Sequence, residues 1–410
     1  MIKNKHIELL SPAGDLERLK TAVRFGADAV YCGLPDFSLR NPREITFTKK
    51  TLKEGIKFAH ENGVKIYLTF NIFPHERQIE RLEKDIEGYY EILKDIDGVI
   101  VSDLGMFSLV KKYLPEVPIH VSTQANTLNS EAIKMWEKLG ARRVVLAREL
   151  TLKEIKSIRS TVENIKLEAF GHGAMCVAYS GRCLLSKYFT NREANLGDCA
   201  QSCRWKYNVN ITEETRPDDP IEVQEDKNGT YFLNSKEICT LDILDKFIDA
   251  GIDALKIEGR AKSAYYVAMV TRIYRIAIDA VCTGKKIPKE LFDELDLISN
   301  RGYSHGFLLG KDKYEQNYET TAIKPLIVFA GMVLGQNKNL IQVEIKNKFK
   351  VGEKVEIITP NEIYKTKIVK ILNEKGKEIE EALTPQDKVW LEFKDYFEIP
   401  EGSILRKKTK

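Results

Sequence analysis

The sequence predicts an α/β chain: a (β/α)8, TIM-barrel-like domain with an inserted β-hairpin, then a small C-terminal all-β barrel. Three observations carry this expectation. Eight short runs of β-branched and apolar residues alternate with segments whose apolar residues fall at helical spacing. That alternation implies a parallel sheet covered on both faces, and eight repeats suggest closure into a barrel. From about residue 324 the helical spacing stops, and short strands separated by turn signals follow. A doubly wound open sheet is the runner-up, but no GxGxxG follows any strand, so a dinucleotide fold has no local support.

In chain order, HIELLS (6–11) is the first strand, and LERLKTAVRFGAD is a helix with Gly26 as its C-cap. AVYCG (29–33) is the second strand. The helix TLKEGIKFAHENG (51–63) leads to KIYLTFN (65–71). A charged helix over about 76–95 leads to DGVIVSD (97–103), and MFSLVKKYL to PIHVSTQ (118–124). SEAIKMWEKLGA leads to RRVVLARE (142–149), and TLKEIKSIRS to IKLEAFG (165–171). TLDILDKFIDAGID leads to ALKIEGR (254–260), and a last helix covers about 262–283. These elements make a domain over 1–284. Residues 207–234 break the pattern and read as a hairpin of YNVNITEE and TYFLNS around an acidic loop. Residues 285–323 form a connector containing NRGYSHGFLLG, and 324–410 form the C-terminal barrel.

The chain has 410 residues, is 43% hydrophobic and 30% charged, and carries a net charge of +4. That suits a soluble globular protein of two or three domains. Residues 324–410 hold 17 Lys+Arg against 13 Asp+Glu, so the whole net charge lies there. A basic terminal module can touch nucleic acid, although a solvated lysine surface produces the same count. MIKNKHIELLSPAGD lacks the apolar run of a signal peptide, and no stretch approaches the ~20 apolar residues of a membrane helix. The expectation is a cytoplasmic protein with reduced thiols and no membrane partner.

Polar residues gather where the predicted strands end. They are Glu8 and Ser11, Asn71, Asp103, Gln124 and Asn126, Arg148 and Glu149, Glu168 and His172, and Lys256, Glu258 and Arg260. Alone, each is most simply a cap or an ion-pair partner. Together they suggest a site, since the carboxyl ends of barrel strands build active sites.

Four of seven cysteines, Cys176, Cys183, Cys199 and Cys203, crowd the stretch EAFGHGAMCVAYSGRCLLSKYFTNREANLGDCAQSCRW, and Cys239 follows in NSKEICT. Their neighbours are Gly, Ser, Arg and Asn rather than core residues. Soft thiolates from separate loops suit an iron–sulfur cluster or structural zinc. No close CxxC pairs are present, and neither is the CxxxCxxC of S-adenosylmethionine radical chemistry. A nucleophilic cysteine paired with His172 is a third reading. Reduced core cysteines are the fourth, and Cys32 and Cys282 fit it, lying in a predicted strand and a predicted helix. No Ser-His-Asp set, HExxH or paired aspartate motif is visible.

EAFGHGAMCVAYSGRCLLS resembles the signature of the collagenase-like peptidase family U32. The resemblance extends to ELLSPAGD, VSTQANTLN, LAREL, NREANLGDCAQSCRW, LKIEGRAKSAYYVAMVTRIYR and NRGYSHGFLLG. It covers nearly the whole chain, including the terminal β module. Members of this family look more like oxygen-independent hydroxylases than proteases. They carry a [4Fe–4S] cluster and take the hydroxyl from prephenate. One branch acts on the wobble uridine of tRNA, one on a ribosomal RNA cytidine, and one on ubiquinone precursors. The terminal module and the SGRCLLS…CRW pattern resemble the tRNA branch.

The resemblance implies cluster ligands at Cys176, Cys183, Cys199 and Cys239. Cys203 is an extra cysteine, a substitute for Cys199 or a tuning residue. Prephenate would need cations for its two carboxylates, and Arg148, Arg182, Lys256 and Arg260 are candidates. Glu168 and His172 are candidate acid or base groups; the plain alternative for Glu168 is a buried partner of Arg182 or Arg148. The implied partners are tRNA and a second copy or paired family member. The rival functions are a peptidase and a non-catalytic, cluster- or zinc-bearing RNA-binding scaffold.

Overall fold

The computed structural model describes residues 6–35, 37–38, 47–176, 178, 183–196, 198–205, 225–226, 229–230, 235–310, 327–383 and 387–408. The strands β1 (Glu8–Pro12), β2 (Ala29–Gly33), β3 (Lys65–Phe70), β4 (Gly98–Val101), β5 (Ile119–Val121), β6 (Arg143–Val145) and β7 (Lys166–Gly173) pair in sequence order, each parallel to the next. After the short pair β8 (Glu225–Asp226) and β9 (Gly229–Thr230), β10 (Glu237–Cys239) leads to β11 (Ala254–Ile257). β11 pairs in parallel with both β7 and β1 and closes the eight-stranded barrel. Of the paired residues, 225–226 and Gly229 fall inside the stretch read as the acidic loop, and Thr230 opens the second expected strand. Both strands expected of the hairpin, 207–214 and most of 230–235, lie outside the described residues.

Helices α1 (Leu16–Arg24), α2 (Lys49–Glu61), α3 (Glu76–Leu93), α4 (Leu104–Tyr113), α5 (Ser130–Leu139), α6 (Leu152–Arg159), α7 (Leu185–Thr190), α8 (Leu244–Asp249) and α9 (Ala264–Cys282) follow the barrel strands. Their starts are set locally. Asp15, Thr48, Asp103, Asn129, Thr151 and Ser263 each accept an amide proton from the first turn. Asp103 is therefore a cap, and Ser11 bonds Thr271 on α9 at 2.9 Å, so neither serves the strand-end site.

The stretch expected to connect the domains is partly built into the first one. α10 (Glu290–Asp296) precedes β12 (Tyr303–Ser304), which pairs in parallel with β10. β10 in turn runs antiparallel to the end of β7.

The C-terminal domain consists of β13 (Ile327–Asn337), β14 (Leu340–Ile345), β15 (Phe349–Lys350), β16 (Lys354–Ile358), β17 (Ile363–Asn373), β18 (Glu381–Ala382), β19 (Lys388–Phe393) and β20 (Ile404–Lys408). Six of these close a barrel in the order β13-β14-β19-β17-β16-β20. Its core comes from alternate residues such as Ile341, Val343 and Ile345, the period-2 pattern of strands with one wet face. Ile327, Met332, Ile358 and Ile404 instead join the core of the first domain. Arg406, fully buried, bonds Glu356 at 2.7 Å, Glu294 on α10 and Tyr265 on α9. Two-sided strands and a shared core tie the terminal barrel to the outer helices.

Candidate functional site

The inner face of the barrel has two levels. At the floor, Arg143 lies 2.6 Å from Glu8 and 2.8 Å from Glu168. Tyr67 donates to Glu8 at 3.1 Å, and Lys256 lies 3.1 Å from Glu168. The half-exposed Lys65 lies 3.5 Å from Glu8 as well, so each buried carboxylate faces two cations, where an unpaired charge would be costly. Burial works to raise the Glu8 carboxyl, but Arg143, with Lys65 and Tyr67, outweighs it and holds the group below its ordinary value. Burial lowers the Lys256 ammonium, with Glu168 opposing it.

Above the floor, the mouth opens on a cavity of about 110 Å³. Strand positions Tyr31, Thr69, Phe170 and Lys256 form its base. Lys256 sits 4.4 Å from the Tyr31 ring centre, so one residue belongs to both levels. Arg148, Glu258 and Arg260 project from the loops that follow the strands. Arg148 stacks on Phe170 at 4.0 Å and lies 3.4 Å from Glu258; Arg260 donates to Thr69 at 2.7 Å. Asn71, Ser122 and Gln124 add polar walls.

The roof comes from the segment after β7. Cys176, Cys183, Cys199 and Cys203 all line the cavity. Cys183 receives backbone hydrogen bonds from Leu185 and Ser186, although burial dominates and pushes its thiol up. Ser186 fixes the next turn: its hydroxyl accepts from the Ala200 amide at 3.0 Å and lies 3.7 Å from the Cys199 sulfur. Burial also raises the Cys203 thiol. Among the described residues no three His, Cys, Asp or Glu side chains meet closely enough to hold one metal ion; the thiols surround a space.

Cys239 is elsewhere. It is buried at the end of β10, 3.6 Å from the Tyr274 hydroxyl, with its thiol pushed up by burial to about 11. His172, its register partner on β7, faces the same outer pocket of Tyr266, Tyr274 and Tyr303 rings. Strand alternation would put His172 on the face of Glu168 and Phe170. An irregularity in the β7–β11 register beside Gly171 reverses it. A Cβ at Gly171 would lie 2.6 Å from Leu255, so the tight crossing needs glycine. Burial lowers the His172 imidazole to about 4.

The sequence-predicted residues therefore divide. Arg148, Lys256, Arg260, Cys176, Cys183, Cys199 and Cys203 share the cavity. Glu168 is on the floor, paired with Arg143 and Lys256 rather than with Arg148. His172 and Cys239 are behind the wall, and Arg182 lies outside the described residues. Arg143 and Tyr31 were missed; the signal of each is a single polar side chain inside an otherwise apolar strand, RVV and AVYCG.

Residues 14–318 match the family described as peptidase family U32, and residues 327–406 match its C-terminal domain. A Haemophilus influenzae relative named tRNA hydroxylation protein P is 39% identical, over 92% of this chain and 91% of its own. The Escherichia coli protein of the same name is 37% identical, over 97% and 96%. A Porphyromonas gingivalis relative named collagenase is 32% identical, over 86% of each. With both domains matched and relatives aligned end to end, this chain belongs to peptidase family U32.

Proposed function

We propose that this chain hydroxylates the wobble uridine of tRNA to 5-hydroxyuridine without dioxygen, using a [4Fe–4S] cluster and prephenate as the hydroxyl donor. The observation that carries this reading is one cavity lined by four thiols and three cationic side chains. It is supported by the two relatives named as tRNA hydroxylation proteins, which match this chain over more than nine-tenths of its length.

The donor set fits the cluster: thiolates are the protein ligands of iron–sulfur centres, and thiols around a space suit several metal atoms better than one zinc ion. When bound, the cluster would supply the electron-transfer chemistry of the reaction. The chain's own residues do the rest. Arg148 and Arg260 present guanidinium forks to the donor's carboxylates, and Lys256 adds a point charge held from below by Glu168. Phe170 and Tyr31 shape the apolar floor against which the ring of the donor rests. Glu258 is the carboxylate among the described lining residues; the acid–base role expected of Glu168 or His172 passes to it on position.

We assign the fourth thiolate to Cys203, because it shares the cavity with Cys176, Cys183 and Cys199 while Cys239 does not. Iron and sulfide per chain after anaerobic reconstitution test this. Cys203→Ser should lose the cluster and Cys239→Ser should keep it; the opposite result restores Cys239.

The peptidase reading has the P. gingivalis name in its favour. However, Cys176 lines the cavity and His172 does not, and the thiol that shares the His172 pocket, Cys239, is buried and pushed up to about 11, unsuited to act as a nucleophile. The deciding experiment is mass spectrometry of tRNA nucleosides from cells with and without the gene. The expected outcome is loss of 5-hydroxyuridine on deletion, restored by the wild-type gene. An unchanged nucleoside profile sinks the hydroxylase reading.

A further inference from the structure

Large apolar side chains exposed to solvent are scattered over most of the described surface, with one exception. Leu184, Tyr188, Phe189 and Trp205 fall within one stretch of 22 residues, at 73%, 82%, 45% and 41% exposure. Three are aromatic, and their rings touch in a chain. Tyr188 meets Phe189 edge-on at 5.0 Å, and Phe189 meets Trp205 at 6.2 Å. Contiguous exposed apolar surface marks an interaction site more often than chance.

The position of this ledge says what it meets. Leu185 and Ser186, one turn before Tyr188 and Phe189 on α7, line the cysteine cavity. Gln201, Ser202 and Cys203, just before Trp205, line it too. The ledge is thus the outer rim of the same cavity. Three of its four exposed members are flat rings, the side chains on which splayed bases stack. The same stretch carries Lys187 and Arg192, each in an exposed pair, with Glu193 at 3.1 Å and with Asp198 at 2.5 Å. Exposed pairs of this kind are worth little, so their cations can turn to a phosphate at little cost.

We propose that Tyr188, Phe189 and Trp205 form a stacking platform for unpaired bases, holding the nucleotides that flank the one directed into the cavity. The proposal rests on the tRNA reading above and adds the surface that takes the loop. Single-stranded RNA is recognised by stacking splayed bases on aromatic side chains. Each such contact contributes roughly 5- to 150-fold in affinity. A base-paired segment offers no free ring face, so the platform selects loops over duplexes.

The test uses the full-length chain and an anticodon stem-loop RNA, with the same loop sequence annealed to its complement as control. Wild type should bind the stem-loop and quench Trp205 fluorescence, and should bind the duplex weakly. Tyr188→Ala and Trp205→Ala should each weaken stem-loop binding at least fivefold, with iron content and melting temperature unchanged. Tyr188→Trp should restore it. Variants that fold and bind the stem-loop like wild type overturn the platform but leave the tRNA reading standing. Equal binding of loop and duplex overturns it as well, as does ring-dependent self-association of the chain without RNA. If wild type binds neither RNA, the platform and the tRNA reading fall together.

Discussion

At the floor of the barrel, Glu8, Tyr67, Arg143 and Glu168 bond to one another and present nothing to a ligand. At the mouth, Arg148, Arg260 and four cysteines face a shared cavity. The two levels are built from the same strands and overlapping residue types. What separates them is closure. The buried carboxylates of the floor are held by Arg143, Lys256 and the half-exposed Lys65, while the charges at the mouth line a space that a ligand would fill. Lys256 bridges the two, paired with Glu168 below and lining the cavity above. The floor should therefore answer to measurements of stability, and the mouth to measurements of binding and chemistry.

The largest effect is expected at the mouth. Cys183→Ser should reduce bound iron to background and abolish hydroxylation, because ligand binding and loop order are coupled. Iron and acid-labile sulfide assays check it, and a full complement of iron in the variant would refute the ligand assignment. At the floor, Arg143→Leu strands Glu8 and Glu168 without their shared cation. It should cost about 3–5 kcal/mol of stability, read from urea unfolding of the anaerobic protein. A loss below 1 kcal/mol would show that the floor is not a closed network.

A finer cut compares charge with shape. Arg148→Lys keeps the charge but loses the planar fork and its stacking on Phe170. Stability should shift by less than about 1 kcal/mol, while kcat/KM for the donor falls about tenfold, the worth of one charged hydrogen bond. Equal losses in both would put Arg148 with the floor.

The eight barrel strands were legible because strands buried on both faces read as apolar runs. The terminal barrel was legible because its strands, wet on one face, alternate. What could be read was position along a strand: Arg148, Lys256 and Arg260 stand at strand ends, and the 176–203 cysteines stood out by their crowding in one stretch; the structure puts all of them on one cavity. What periodicity could not give was side. One register irregularity beside Gly171 turns His172 outward, and the antiparallel return of β10 carries Cys239 to that same outer pocket. Neither feature leaves a mark in hydrophobic spacing. The partner of Glu168 was hidden for a different reason. Arg143 lies 25 positions away on the neighbouring strand, and only barrel register brings the two together.

The smallest effect concerns His120, which completes the floor. It is buried edge-on to Tyr67, with ring centres 4.6 Å apart. Burial first, then the positive charges of Arg143 and Lys256, push its imidazole well below the ordinary value of 6.5. The folded chain therefore refuses a proton that the unfolded chain accepts. Stability from this source is complete above pH 6.5 and declines as pH falls below it. His172, lowered to about 4 by burial, adds to the same decline. Glu8 is held below its ordinary 4.5 and contributes only at lower pH. His120→Phe keeps the edge contact and removes the titration. Between pH 6.5 and 4.5 its urea midpoint should fall less steeply than that of wild type, and the remaining slope should combine the fall from His172 with the opposite contribution of Glu149, which burial raises. Parallel profiles for the two proteins would mean that His120 takes its proton inside the fold, and the floor would then be open to water after all.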